Sequence, residues 1–176
     1  MAIVTLVMIV TVLMVTVLSC ISDVRSLRIP NMYALIILVC FVPAWFTAPV
    51  DLGPIGYHIA SMGIMFIVSY LMFCKGMMGG GDSKFGTALG LWVGLRGLVP
   101  FVFYMALMGG ILGLITLFLR KKKPFTNPRP GSWVEQVQTG HDAIPYGVAI
   151  SFGCWAAFFH AGLVDNQLNE IFKIIH

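Results

Sequence analysis

Two aspartates stand where an ordinary surface charge would not. Asp23 closes a long apolar run, in the stretch Ser22-Asp23-Val24-Arg25-Ser26, and Asp82 follows Gly79-Gly80-Gly81 and opens another. The other acids, Asp51, Glu135, Asp142, Asp165 and Glu170, fall in loops or the C-terminal tail. Ionisable groups tight against lipid are costly and are functional candidates by default. Two carboxylates at close range cannot both ionise easily, so a pair shares a proton and titrates as one unit. Such a pair suits peptide hydrolysis. The ionised member takes a proton from water as the water attacks the carbonyl. The protonated member hydrogen-bonds the carbonyl oxygen, and a proton later goes to the leaving amine. No metal, cofactor or covalent intermediate is needed. Two other readings use the same residues. One is a proton or cation relay across the membrane. The other is structural, with Asp82 capping a helix and Asp23 paired with Arg25 or Arg28. A relay calls for acids near the bilayer centre, whereas both of these stand at one edge.

The neighbours of the pair have roles of their own. Gly79, Gly80 and Gly81 can take positive φ and let a substrate backbone approach closely. Pro30 and Asn31 turn the chain into the next helix, with Asn31 as its cap. Cys20, Cys40, Cys74 and Cys154 are scattered singly and the histidines are dispersed, so the spacing argues against a zinc site.

The elements that position these residues must be membrane helices. The chain has 176 residues, 59% hydrophobic and only 10% charged, against roughly a quarter charged in a soluble domain. A span needs about 20 apolar residues. Six membrane segments, the fourth of them short, are predicted in an all-α, single membrane-embedded domain covering 1–176: about 2–21, 32–47, 55–74, 85–97, 99–119 and 143–164. The first has no basic flank and no cleavage site, so it is expected to stay as a helix. The stretch 85–119 would be roughly 50 Å long as one helix, too much for one crossing. Arg96-Gly97 and Pro100 offer the turn that splits it.

Orientation follows from the basic residues. With six crossings, Arg25, Arg28, Lys75, Lys84, Arg120, Lys121, Lys122, Lys123 and Arg129 share one side, and Arg96 and Lys173 the other. The first side should be cytoplasmic, which places both termini in the periplasm. The loop 120–142 is the only long polar stretch, and its Pro124, Pro128, Pro130 and Gly131 argue against a regular helix there. Its basic run reads as a topology anchor and a contact for anionic membrane lipids, with no nucleic-acid role. Val164, Leu168, Ile171, Phe172 and Ile175 have the spacing of an amphipathic surface helix.

Three stretches resemble one family. Gly79-Gly80-Gly81-Asp82, followed by Ser83-Lys84-Phe85, is similar to the GxGD motif of the type IV prepilin peptidases. Asp23-Val24-Arg25-Ser26-Leu27-Arg28-Ile29-Pro30-Asn31 resembles the family's other active-site stretch, an Asp followed by basic residues and Ile-Pro-Asn. Ile144-Pro145-Tyr146-Gly147-Val148-Ala149-Ile150 is a third match, in the expected order. The resemblance implies a bacterial inner-membrane aspartyl endopeptidase that removes the short basic leader of prepilins or pseudopilins on the cytoplasmic side. Asp23 and Asp82 would be its catalytic residues. Larger members carry an N-terminal region with paired cysteines and also methylate the new N-terminus; this chain is expected to resemble the short form associated with tight-adherence pili. Lys84 and Arg25 would act electrostatically on an aspartate or on an acidic substrate residue, or simply anchor the topology. Pro145 and Tyr146 would pack beside the site, with the phenol orienting substrate. A noncatalytic pilus-assembly component is the remaining alternative, and both aspartates being intact argues against it.

Overall fold

The computed structural model describes residues 2–48, 52–160, 162 and 169. All regular structure among them is helical: α1 (Ala2–Ser26), α2 (Asn31–Thr47), α3 (Ile55–Cys74), α4 (Gly80–Lys122), α5 (Trp133–Gln138) and α6 (Tyr146–His160). Three of these, α1, α3 and α4, are long and apolar enough to cross a membrane, and α2 and α6 are shorter apolar helices. The tail predicted as an amphipathic helix lies outside the described residues, as do the last residues expected of the sixth segment.

The inward face of α1 explains how Asp23 comes to be buried. Thr5, Ile9, Val12, Thr16, Ser19 and Asp23 repeat at three- and four-residue steps and are all buried, so they form one stripe. Val10, Met14, Val17 and Ile21 point outward and are exposed. The helix runs on to Ser26, past the predicted end at residue 21. Nothing in Ser22-Asp23-Val24-Arg25 breaks a helix, and the Ser26 hydroxyl bonds back to the Ser22 carbonyl at 2.8 Å. Leu27 then ends it in the left-handed region, at φ 51°, with its N–H on the Asp23 carbonyl. Such a φ is unusual for a bulky residue and holds only because the surroundings impose it.

α4 is a folded-back pair of arms, 80–93 and 95–122, broken at Gly94 (φ 60°, ψ 179°). The contacts of α6 establish the reversal. Along the first arm, Gly86 meets Ile150 and Trp92 meets Phe158, so that arm runs parallel to α6. Along the second, Gly97 meets Ala157, Met105 meets Gly153 and Gly113 meets Ile144, so that arm runs antiparallel. The expected turn at Arg96-Gly97 therefore falls slightly earlier, and Pro100 lies inside the second arm. α3 packs antiparallel to the first arm: Ser69 bonds Ser83 at 2.9 Å, and His58 reaches the Leu91 carbonyl at 2.7 Å. Trp92 Nε1 donates to the Ile37 carbonyl at 2.8 Å and ties α4 to α2.

The loop 120–142 holds a short helix that its prolines had argued against. α5 begins after the last of them, where Ser132 caps it by accepting from the Glu135 N–H. The Ser-x-x-Glu spacing is a helix-start signal.

Candidate active site

Asp23 is 2% exposed, and its Oδ2 accepts the backbone N–H of Gly147 at 2.6 Å. Gly147 lies in the first turn of α6, where backbone N–H groups lack partners within the helix. The carboxylate satisfies one of them, and the positive end of the helix dipole faces its charge. Asp82 occupies the matching place on α4. It is the third residue of that helix, and its Oδ2 accepts from the Gly79 N–H at 3.1 Å. Ile29 brings the two acids to one end of the bundle: it lies against Gly81, the residue before Asp82, and against Gly147, the residue that holds Asp23.

The two acids share one end of the bundle although their helices do not pack on each other. Among the described residues, α1 and α4 share no close backbone approach; both pack on α2, α5 and α6. Ile29 joins them. Its carbonyl lies 2.8 Å from where a Cβ on Gly81 would stand, and its Cδ1 lies 2.7 Å from the same point on Gly147. One buried isoleucine is thus held against the starts of both α4 and α6.

A cavity of about 540 Å³ opens at this end, walled by residues 26–31 and 79–82. Asp82 lines it, as does Ser22, the residue before Asp23. The glycines work differently from the expectation. None of Gly79, Gly80 and Gly81 has positive φ; they open α4 with ordinary backbone. Their lack of a side chain matters for space. A Cβ on Gly79 would lie 2.7 Å from Asp82 Oδ2, and one on Gly81 would strike the Ile29 carbonyl. Asn31 is also placed differently. Pro30 holds the cap position of α2 and Asn31 is its first residue, with no side-chain cap bond. Its Oδ1 instead accepts from Lys84 Nζ at 3.1 Å, which links the starts of α2 and α4 beside the cavity. Pro145 is buried just ahead of α6, and Tyr146 begins that helix. Arg25 is not with the pair. It lines a neighbouring cavity and makes no ion pair with either aspartate.

Sequence reasoning gave Gly147 and Ile29 no chemical role, although both lie inside the stretches it singled out. It also passed over Ser19, buried one helical turn before Asp23, whose hydroxyl has no hydrogen-bond partner among the described residues.

Known proteins share sequence with this chain. A prepilin leader peptidase/N-methyltransferase of Xanthomonas campestris pv. campestris is 30% identical over 121 residues, 68% of this chain and 36% of that protein. One of Bacillus subtilis is 27% identical over 107 residues, 59% of this chain and 43% of that protein. The chain thus spans less than half the length of these relatives. No solved structure matches. The sequence pattern of the type IV leader peptidase family covers residues 7–114, more than half of the chain and both aspartates, and the chain belongs to that family.

Proposed function

We propose that this chain is a membrane aspartyl endopeptidase that removes the short basic leader peptide from prepilins or pseudopilins. It would act at the cytoplasmic face of the bacterial inner membrane. The observation that carries the reading is that Asp23 and Asp82 stand at one end of the bundle, beside a cavity that Asp82 lines, with Ile29 held against the helix starts next to both. The names of the matched relatives, prepilin leader peptidases, support the substrate class.

The pair works as one unit holding one proton. The ionised carboxylate takes a proton from water as the oxygen bonds to the scissile carbonyl carbon. The protonated carboxyl donates to the carbonyl oxygen as charge develops there. The C–N bond then breaks, the new carboxyl group keeps the water oxygen, and the amine leaves with a proton from the pair. Gly79, Gly80, Gly81, Pro30, Asn31, Lys84, Pro145 and Tyr146 shape the surroundings of this reaction. The reading places 1–176 in the bilayer as one domain with six crossings, the two arms of α4 counting as two. Both termini are then periplasmic. The basic residues support this orientation, since Arg25, Arg28, Lys84 and Arg120 belong to the same end of the bundle as the aspartates. That placement also disfavours a transmembrane relay, because the acids occupy the last turn of α1 and the first of α4.

The test is direct. Purified protein in lipid should cleave a prepilin with a basic leader. Asp23→Asn and Asp82→Asn should each lower the rate by at least about 10²- to 10⁴-fold, the range of one acid–base contribution, while remaining folded and inserted. Full activity in either variant would sink the two-aspartate mechanism.

A further inference from the structure

The catalytic cavity has a neighbour. A second cavity of about 550 Å³ lies beside it, and the two share Ser26, Leu27 and Arg28 as a common wall. Arg25, Arg28 and Arg129 line the second cavity, and no carboxylate does. Among the described residues the one ion pair is Arg120–Asp142, outside this cleft. Three guanidinium groups therefore line one cleft without an ion pair; Glu135 stands at its edge with Oε2 accepting the Gly131 N–H, and Asp82 lines the adjoining cavity with Arg28. The planar guanidinium forks match the paired oxygens of a carboxylate or a phosphate.

The geometry of α1 decides between those anions. Residues two apart on a helix lie about 200° apart around its axis, so Arg25 leaves α1 on the side opposite Asp23. It shares a stripe with Leu18 and Ile21, which are 45% and 42% exposed. In a membrane that stripe faces the acyl chains, and Arg25 stands one turn beyond its last apolar residue, at headgroup height. A peptide bound at the aspartates would approach from the other side of the helix. We propose that the cleft of Arg25, Arg28 and Arg129 binds the phosphate of an anionic phospholipid headgroup, with the acyl chains lying along Leu18 and Ile21. Three positive charges that make no ion pair favour an anionic headgroup over a zwitterionic one. The bound lipid ties the end of α1 to the segment 129–136, across the wall that also bounds the catalytic cavity. The inference uses the membrane placement of α1 and does not depend on the chemistry of the aspartates.

The full chain, inserted in phosphatidylcholine nanodiscs doped with phosphatidylglycerol, is released into a mass spectrometer and its retained lipid identified. Insertion is checked separately by flotation with the same lipids. Wild type should retain phosphatidylglycerol over phosphatidylcholine. Arg129→Gln alone, a change on an exposed loop, should weaken retention about five-fold, and Arg25→Gln with Arg28→Gln should weaken it further. Lys121→Gln with Lys122→Gln, in the basic run that meets headgroups outside the cleft, should weaken it clearly less than the arginine pair. Equal retention in the arginine variants overturns the proposal, as does an equal loss in the lysine variant. Displacement of the lipid by a glutamate-rich peptide assigns the cleft to substrate instead. Displacement by inorganic phosphate alone assigns it to small anions. Either result overturns the lipid assignment.

Discussion

The backbone N–H of Gly147 donates to Oδ2 of Asp23 at 2.6 Å, joining the last turn of α1 to the first turn of α6. The bond fixes one face of a carboxylate that is almost wholly buried. It also gives α6 a task that its apolar sequence does not advertise. With α1 and α4 apart, α6 and Ile29 join α2 and α5 in setting Asp23 relative to Asp82.

Gly147→Ala tests that task. The added Cβ would stand 2.9 Å from Asp23 Oδ2, 2.7 Å from Ile29 Cδ1 and 3.1 Å from Ser19 Oγ. Ile29 Cδ1 is the end of a side chain and can turn aside, but it is buried, and Asp23 Oδ2 stands on the other side of the new methyl. The Asp23 carboxylate, 2.9 Å away, shifts with it. A displacement on the order of 1 Å at a catalytic group costs roughly 10²-fold in rate. Prepilin cleavage by Gly147→Ala should fall by about that much while circular dichroism and membrane insertion stay unchanged. Wild-type turnover would show that the bond does not govern the chemistry.

The glycines before Asp82 should separate on substitution. A Cβ on Gly81 meets the backbone carbonyl of Ile29 at 2.8 Å, whereas one on Gly80 meets the edge of the Phe73 ring at 3.4 Å. A ring on an exposed helix face can shift; a carbonyl clamped between two helix starts cannot. Gly81→Ala should thus lose most cleavage, and Gly80→Ala should keep it within a few-fold. Steady-state assays of the two purified variants decide the matter, and equal losses would point to chain flexibility as the need.

The contrast between Gly80 and Gly81 marks what was legible in the sequence. The all-helical, apolar character was plain from composition, and the two aspartates stood out because lipid makes charge conspicuous. The need for a reversal within 85–119 followed from length alone. Its position did not. Arg96 and Pro100 advertise a turn, while Gly94 carries the break in a backbone conformation that no pattern of side chains announces. Spatial roles were equally silent. Ile29 reads as one more apolar residue until two glycines from distant helices are found against it. Asn31 has the composition of a cap, but Pro30 takes that position and leaves its amide to Lys84. The short α5 was readable from Ser132 and Glu135 and was outweighed by the surrounding prolines.

Gly94 therefore offers the sharpest test of the fold beneath the site. Its φ of 60° with ψ of 179° belongs to a region that only glycine occupies readily. Space is closed as well, since a Cβ there would lie 3.1 Å from the His58 ring, which is held between the carbonyls of Leu91 and Leu52. Gly94→Ala should lower unfolding stability by about 1–3 kcal/mol from backbone strain alone, and more if His58 is pushed from its bonds. Gly110→Ala, on the second arm with nothing within 4 Å of the new methyl, should be neutral or slightly stabilising, because alanine favours helix over glycine. Thermal unfolding in detergent compares the two. The same comparison bears on activity, because the reversal at Gly94 returns the second arm of α4 to the end of the bundle that holds Asp82. If Gly94→Ala unfolds no more readily than Gly110→Ala, the arms do not depend on this glycine, and some other residue must turn the chain.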